Sequence, residues 1–537
     1  MTPSATTASL PDPHALPLDD AIGQTLCFGW QGPGCDGVND HAHELIEDMR
    51  VGGVILLARN ITTPDAVRSL LSRLQGMSGV PLLVAVDQEG GRVNRFGAPF
   101  TQFAGNMALG ACGDEGPMLT KRQAEAQATE LLSVGVNWNL APVLDVNNNP
   151  DNPVVGVRSY GEVPEHVGAL GAAAIAGYGA GGILSCAKHF PGHGNTAVDS
   201  HLGLPVVHAS REELRTTELA PFRAAIQAGV PAIMTTHIVF PSLDYCLPAT
   251  LSASILTDLL RTEMGFGGVI ITDCMEMAAI AETIGTPHGA VAALMAGVDM
   301  VLVSHTLETQ RETVRAIRRA IEGGILEEAR IRDACARVLR MKSMVSTSHR
   351  EPATRWQWPQ HADLEMQIAR RSVTLVRDGD ILPLSAGARV MVASTDPAGR
   401  AAAEALRSLG FDATWHHLGS RADLERSDDI LADMVGCSAA VVLVSLNAGG
   451  ALPERAITSL VERARQRLQE RLILAAIGTP YDMRAFPDVP TALCTYGSSE
   501  RSMAALAEAL AGVLVPRGAL PVTISPARSE PSGAPGS

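Results

Sequence analysis

The sequence predicts an α/β protein: a (β/α)8 barrel of the TIM type over residues 16–345, followed by a smaller α/β sandwich domain over 373–524. Three observations lead there. Short runs rich in Val, Ile and Leu alternate with amphipathic stretches of helical spacing, the pattern of repeated βα units. Polar and titratable residues gather where those apolar runs end, and in a barrel the strand ends converge on one C-terminal mouth. The chain has 537 residues, more than one core usually organises, so a second domain is expected.

Taken in order, the eight barrel-strand runs are 26–30, 53–57, 82–86, 138–143, 183–188, 232–237, 268–272 and 300–304. Helical spacing with few breakers marks 64–75, 122–134, 212–227 and 253–263. Residues 346–372 read as a linker, polar and Trp- and Pro-containing at first, with a helix at 363–371. Apolar runs at 373–377, 381–384, 389–393, 440–445 and 472–477, separated by helical segments at 402–409 and 457–468, give the second domain a mainly parallel sheet. Residues 1–15 have no basic flank or apolar run of secretory length and read as a disordered leader; the Ser-, Pro- and Gly-rich 525–537 reads as a disordered tail.

Composition excludes several function classes. A formal net charge of −15 with no basic cluster argues against a nucleic-acid partner. No stretch approaches the ~20 apolar residues of a membrane span, so no membrane partner is expected. The nine cysteines, odd in number and scattered through apparent core strands, suit reduced thiols of a cytoplasmic protein.

The chemistry concentrates in ILSCAKHFPGHGNTAVDSHLGLP, residues 183–205, where an apolar run delivers Lys188 and His189 into a glycine-punctuated loop. The chain has three lysines, Lys121, Lys188 and Lys342, so the ammonium here stands out against a background of arginine. Asp199 and His201 are two apart, on one side of an extended segment, so the carboxylate can hold the imidazole. His189, His193, Asp199 and His201 also offer metal ligands, but Lys188 beside them would repel a cation, and no metal or cofactor is expected. Other strand ends carry Asp87, Asp145, His237 and Asp273. Asp145 also suits a helix cap at its βα turn. The loop from Asp87 to Arg95 is glycine-rich, and Arg158 follows an asparagine-rich stretch.

These residues suit cleavage of a glycosidic bond, which needs an acid for the leaving oxygen and an anion for the oxocarbenium-like carbon. Asp273 fits the anion. His201, oriented by Asp199, fits the acid and, in a second step, the base that deprotonates water.

KHFPGHG followed by DSH, VDQEGGRVNRF, ITDCMEM, MTTHIVFPSLD with LPATLS, and AGVDMVLV resemble the bacterial β-N-acetylglucosaminidases of glycoside hydrolase family 3. Beyond the barrel, GTPYDMRAFPDVPTALCTYGSSERSMAALAEALAG and GALPVTI resemble the second domain of the two-domain members. The resemblance implies a retaining exo-enzyme acting on terminal β-linked N-acetylglucosamine, of muropeptides in cell-wall recycling or of chitooligosaccharides. It implies Asp273 as nucleophile and His201 with Asp199 as acid/base. Asp87, Arg95, Arg158, Lys188 and His189 match its sugar-binding positions, and His237 joins them as an expected contact. The family's β-glucosidase branch takes a glutamate acid from the second domain, so the histidine on the barrel favours the aminosugar branch. Three other readings are set beside this one. A histidine places no permanent negative charge where the acceptor arrives, so phosphate could replace water and make the protein a phosphorylase; a metal-dependent hydrolase and a non-catalytic aminosugar-binding protein are the others.

Overall fold

The computed structural model describes residues 10–32, 38–196, 203–345, 356, 358–418, 427–446 and 454–524. Asp199, His201, the first nine residues of the expected leader and the expected tail lie outside the described residues. The described chain forms two compact units, one drawn from Met1–Gln102, Pro117–Ser159 and Val163–His361, the other from Phe103–Gly116, Tyr160–Glu162 and Ala362–Ser537.

The first unit is the barrel. Its strands are β1 (Leu26–Phe28), β2 (Gly53–Leu56), β3 (Leu83–Val86), β4 (Trp138–Asn139), β5 (Leu184–Phe190), β6 (Ala232–Thr235), β7 (Val269–Ile271) and β8 (Val301–Val303). They run parallel in the order β8-β1-β2-β3-β4-β5-β6-β7, and a parallel bridge between Ile271 and Met300 brings β7 to β8. All eight lie within or beside the runs expected from the sequence.

Alternation along each strand sorts side chains to two cores, because successive residues of a strand face opposite ways. Leu83 and Ala85 of β3, Val269 and Ile271 of β7 and Leu302 of β8 join the cluster inside the barrel; Val84, Val86, Ile270, Val301 and Val303 face the surrounding helices. Val338 and Met341, from the helix Glu328–Ser343, also join the inner cluster. The helix Pro64–Met77 shows how local sequence sets an outer element. Thr63 Oγ1 accepts the Ala66 N–H at 3.3 Å, Pro64 opens the first turn, and Val67, Leu70, Leu71 and Leu74 form the buried stripe.

The second unit holds a six-stranded sheet of β9 (Thr374–Arg377), β10 (Arg389–Ser394), β11 (Asp412–His417), β12 (Ala439–Val444), β13 (Leu472–Ala476) and β14 (Thr491–Cys494). The order is β9-β14-β13-β12-β10-β11, parallel except where edge strand β9 meets β14 antiparallel. Helices Ala398–Ser408 and Glu500–Leu510 pack together and contribute Ala402, Leu406, Met503 and Leu506 to the core against the sheet. Helices Ser427–Val435 and Glu454–Leu468 also pack together, and both touch β12. Helices on sheet make the expected α/β sandwich. The run 381–384 forms no strand; Leu384 N–H instead donates to the Leu510 carbonyl, and the Pro383 ring lacks a ladder donor.

Candidate active site

Strand ends of the barrel bring most of the expected residues to its C-terminal mouth. Asp87 directly follows β3, and a short hairpin of Gln88–Gly90 with Val93–Asn94 comes next. Lys188 lies in β5 with a side chain only 2% exposed, and its Nζ donates to Asp87 Oδ1 and contacts Glu89 Oε1, each at 2.7 Å. Arg158 clamps the same Glu89 with two hydrogen bonds, Nη2 to Oε1 at 2.8 Å and Nε to Oε2 at 2.9 Å. Arg95 Nη2 stands 3.8 Å from Asp87 Oδ2.

Burial alone would raise the Glu89 pKa, but Arg158 and Lys188 outweigh it and hold the carboxyl far below the usual carboxylate range. Burial would likewise lower Lys188, yet Asp87 and Glu89 hold its pKa above the ordinary lysine value. Glu89 and Lys188 therefore face each other as an ionised pair at neutral pH. Glu89 was not singled out from the sequence. Its signal was there: two residues beyond Asp87 on extended chain, it faces the same way.

A second network centres on Asp145, which is fully buried. His189 Nδ1 donates to its Oδ2 at 2.8 Å, and its Oδ1 accepts the backbone N–H of His189 at 3.1 Å and of His193 at 2.8 Å. Burial works to raise the Asp145 pKa, but the charge and hydrogen bonds of His189 overcome it and the pKa is lowered. His193 is itself buried, which brings its pKa down to about 4 and leaves the ring neutral. Its Nδ1 pairs with Thr196 Oγ1 at 3.0 Å, and its ring stands edge-on to His189. Asp145 does accept backbone N–H groups as a cap would, though from the end of β5 rather than from a helix.

Asp273, two residues past β7, is half-buried, and its Oδ1 accepts the Cys274 N–H at 2.7 Å. Burial would raise its pKa, but His189, His237, the Cys274 N–H and Lys188 together bring it below the ordinary aspartate value. The carboxylate is thus anionic and ready for nucleophilic or electrostatic work. His237, expected beside the sugar, is fully buried: Nδ1 pairs with Thr250 Oγ1 at 2.8 Å and Nε2 donates to the Cys274 carbonyl at 3.1 Å. In this arrangement the ring braces the turn that presents Asp273.

Asp199 and His201 follow a segment anchored from a neighbouring loop. Asn152 Nδ2 donates to the carbonyls of His193 and Gly194, both at 2.9 Å, and Asn149 Nδ2 donates to that of Thr196 at 3.0 Å. Beyond the undescribed stretch, Pro205 and Val207 pair with Val239.

One group among the described residues has the composition of a metal site: ligand atoms of Cys274, Glu276 and His305 lie within 4.8 Å of one another. These atoms already have partners. The Glu276 oxygens accept the N–H groups of His305 and Thr306, Arg59 Nη1 pairs with His305 Nδ1 at 3.0 Å, and burial pushes the Cys274 thiol up to about 11. A guanidinium at the ligand position opposes a cation. His189 and His193, candidate ligands in the sequence, turn their Nδ1 atoms to Asp145 and Thr196 instead.

Residues 18–341 match the model of the glycosyl hydrolase family 3 N terminal domain. The chain is 37% identical over 376 residues to Beta-hexosaminidase A of Pseudoalteromonas piscicida, covering 65% of this chain and 63% of that relative, a little under two thirds of its length. Among solved structures it is similar to a glycoside hydrolase family 3 beta-N-acetylglucosaminidase from Paenibacillus sp. str. FPU-7, with 35% identity, a TM-score of 0.88, and coverage of 95% of this chain and 100% of that one. It is also similar to the beta-glucoside phosphorylase BglX, at 25% identity and a TM-score of 0.80 over 95% of each chain.

Proposed function

As this chain belongs to glycosyl hydrolase family 3, we propose that it is a retaining exo-β-N-acetylhexosaminidase that removes terminal β-linked N-acetylglucosamine, from muropeptides or chitooligosaccharides, in the cytoplasm. The observation that carries the reading is Asp273: a half-buried carboxylate, kept ionised by its neighbours and rigidly presented beyond β7 at the barrel mouth. Rigid presentation favours in-line attack.

In the first step an Asp273 oxygen bonds to the anomeric carbon as the glycosidic C–O bond breaks. His201, held by Asp199, gives its proton to the leaving oxygen. In the second step neutral His201 takes a proton from water, the water oxygen bonds to the anomeric carbon, and the ester to Asp273 breaks. Asp87, Arg95, Arg158, Lys188 and His189 hydrogen-bond the sugar, and the contacts that Asp87 and Glu89 make with Lys188, Arg158 and Arg95 hold those donors and acceptors in place.

Phosphorolysis is the second reading, supported by the similarity to a beta-glucoside phosphorylase and by the histidine acid, which leaves no fixed anion to repel phosphate. Aryl β-glycosides assayed with and without phosphate test both. The expected result is hydrolysis of the N-acetyl-β-glucosaminide well above the β-glucoside. Equal or faster β-glucoside cleavage sinks the substrate assignment, and sugar 1-phosphate as main product makes the chain a phosphorylase.

A further inference from the structure

The Asp145–His189 pair is a second aspartate–imidazole couple, and the sequence motifs, which mark His189 for the sugar, give Asp145 no role toward it. All of its parts lie among the described residues. Asp145 Oδ1 is occupied by two backbone N–H groups, those of His189 and His193. That leaves Oδ2 as the atom facing the ring, 2.8 Å from His189 Nδ1. An ionised carboxylate oxygen can only accept, so Nδ1 carries the hydrogen. The other ring nitrogen, Nε2, makes no hydrogen bond among the described residues, and the residue as a whole is 5% exposed. His189 also acts electrostatically on Asp273, so the imidazole lies within reach of the carboxylate that faces the substrate.

We infer that Asp145 is a positioning residue: it fixes His189 as the Nδ1–H tautomer, so that Nε2 faces the barrel mouth as a hydrogen-bond acceptor for a sugar hydroxyl. A neutral imidazole has one donor and one acceptor nitrogen, and the partner of one decides what the other offers. Without the carboxylate, His189 can present an N–H to the mouth as readily as a lone pair. A hydroxyl that is already accepting from Lys188 or Arg158 then loses the acceptor for its own proton. The same Asp145 reaches the turn next to Arg158, since Ser159 Oγ donates to the Asp145 carbonyl at 2.6 Å. One residue thereby aligns the end of β5, His193 and the Arg158 turn.

The inference rests on the sugar-cleaving reading for its kinetic consequence but not for its chemical one, and the test separates the two. In Asp145→Asn the two backbone N–H groups keep the amide oxygen at the Oδ1 position, which puts the NH2 group against His189 Nδ1. Two donors cannot face each other, so the ring must switch to the Nε2–H tautomer. Two-bond 1H–15N correlation spectra of protein labelled with 15N-histidine read the tautomer directly. The expected result is Nδ1–H for His189 in the wild type and Nε2–H in Asp145→Asn, assigned by loss of the signal in His189→Gln. For aryl N-acetyl-β-glucosaminide, kcat/KM should fall about 10- to 100-fold, the usual effect of removing an orienting partner, with the thermal midpoint within a few degrees of wild type. His189→Gln should fall by a similar factor, and the double variant no further. An unchanged tautomer, or kcat/KM within about twofold of wild type in a folded Asp145→Asn, overturns the inference. If wild type turned over no aminosugar, the functional reading would fail, and the tautomer switch together with N-acetylglucosamine affinity by calorimetry would still decide the role of Asp145.

Discussion

Arg158 and Glu89 form a forked, nearly buried ion pair, with side chains 14% and 2% exposed and two N–H···O contacts below 3 Å. The guanidinium is rigid before any substrate arrives, because the carboxylate that fixes it is locked in turn by Lys188. Fixed donors lose little freedom on binding a sugar, which is how preorganisation raises affinity.

Removing the anion should therefore be costly twice over. Glu89→Ala takes the forked partner from Arg158 and one of two carboxylates from Lys188, and should destabilise the fold by about 3–5 kcal/mol. Urea unfolding checks this, and Glu89→Gln should lose less stability while still raising KM. The pH dependence follows from the direction of the shift. The folded pKa of Glu89 lies below its unfolded value of about 4.3, so its contribution is complete above that value and is lost as pH falls through the folded one. Glu89→Gln should accordingly flatten the acid limb of the stability curve.

Lys342 should behave in the opposite sense. It is buried with its Nζ donating to Gln24 Oε1 at 2.6 Å, and burial lowers its pKa to about 7. The unfolded lysine titrates near 10.4, so between about pH 7 and 10 the unfolded chain binds more protons and stability rises with pH. Lys342→Met should stabilise the protein at pH 6–7 by on the order of a few kcal/mol and remove that slope. Urea midpoints at pH 6, 8 and 9.5 for both proteins would show it; parallel curves would refute it.

Asp273→Ala should lose activity roughly a thousandfold or more, the scale of losing over 4 kcal/mol of barrier lowering. A 5-fluoro aminosugar should label the wild type covalently, and peptide mass spectrometry should find the label on the segment containing Asp273. Label on another carboxylate, or an inverted anomer as first product, would show that the nucleophile is wrongly assigned.

His201→Ala should lose about 10²- to 10⁴-fold on substrates with poor leaving groups and much less where the leaving phenolate needs no proton. Asp199→Ala should give a milder form of the same leaving-group dependence. A uniform loss across leaving groups would remove His201 from the acid role.

Chelator treatment should leave activity unchanged, because Glu276 and His305 are already engaged by backbone N–H groups and Arg59. Stoichiometric zinc in purified protein, lost together with activity, would contradict this.

The barrel was legible because strand ends and chemistry coincide in it: Asp87, Lys188, His189 and Asp273 each announce the end of an apolar run. The second sheet was legible only in part. β11 reads DATWHH, too polar to register as a strand, yet it pairs in full register with β10; β14 offers only TALC. Asp145 was legible only as a strand-end carboxylate, and Glu89 escaped, for a different reason. Their role depends on partners 44 and 69 residues away, His189 and Arg158, and no local pattern reveals a pairing made by closing a barrel. His237 had the right position and residue type, but burial and its two hydrogen bonds are tertiary facts.

The backbone at Gly194 touches that of Val146 so closely that a Cβ there would come within 1.6 Å of the Val146 carbonyl oxygen. With Asn152 bonded across the same seam, the loops after β4 and β5 are two halves of one part. A graft that exchanges residues 191–204 alone would import a loop without its seat. A functional chimera must carry residues 145–152 along with it, so the unit of exchange for altering what leaves this site is the pair of loops, not either one.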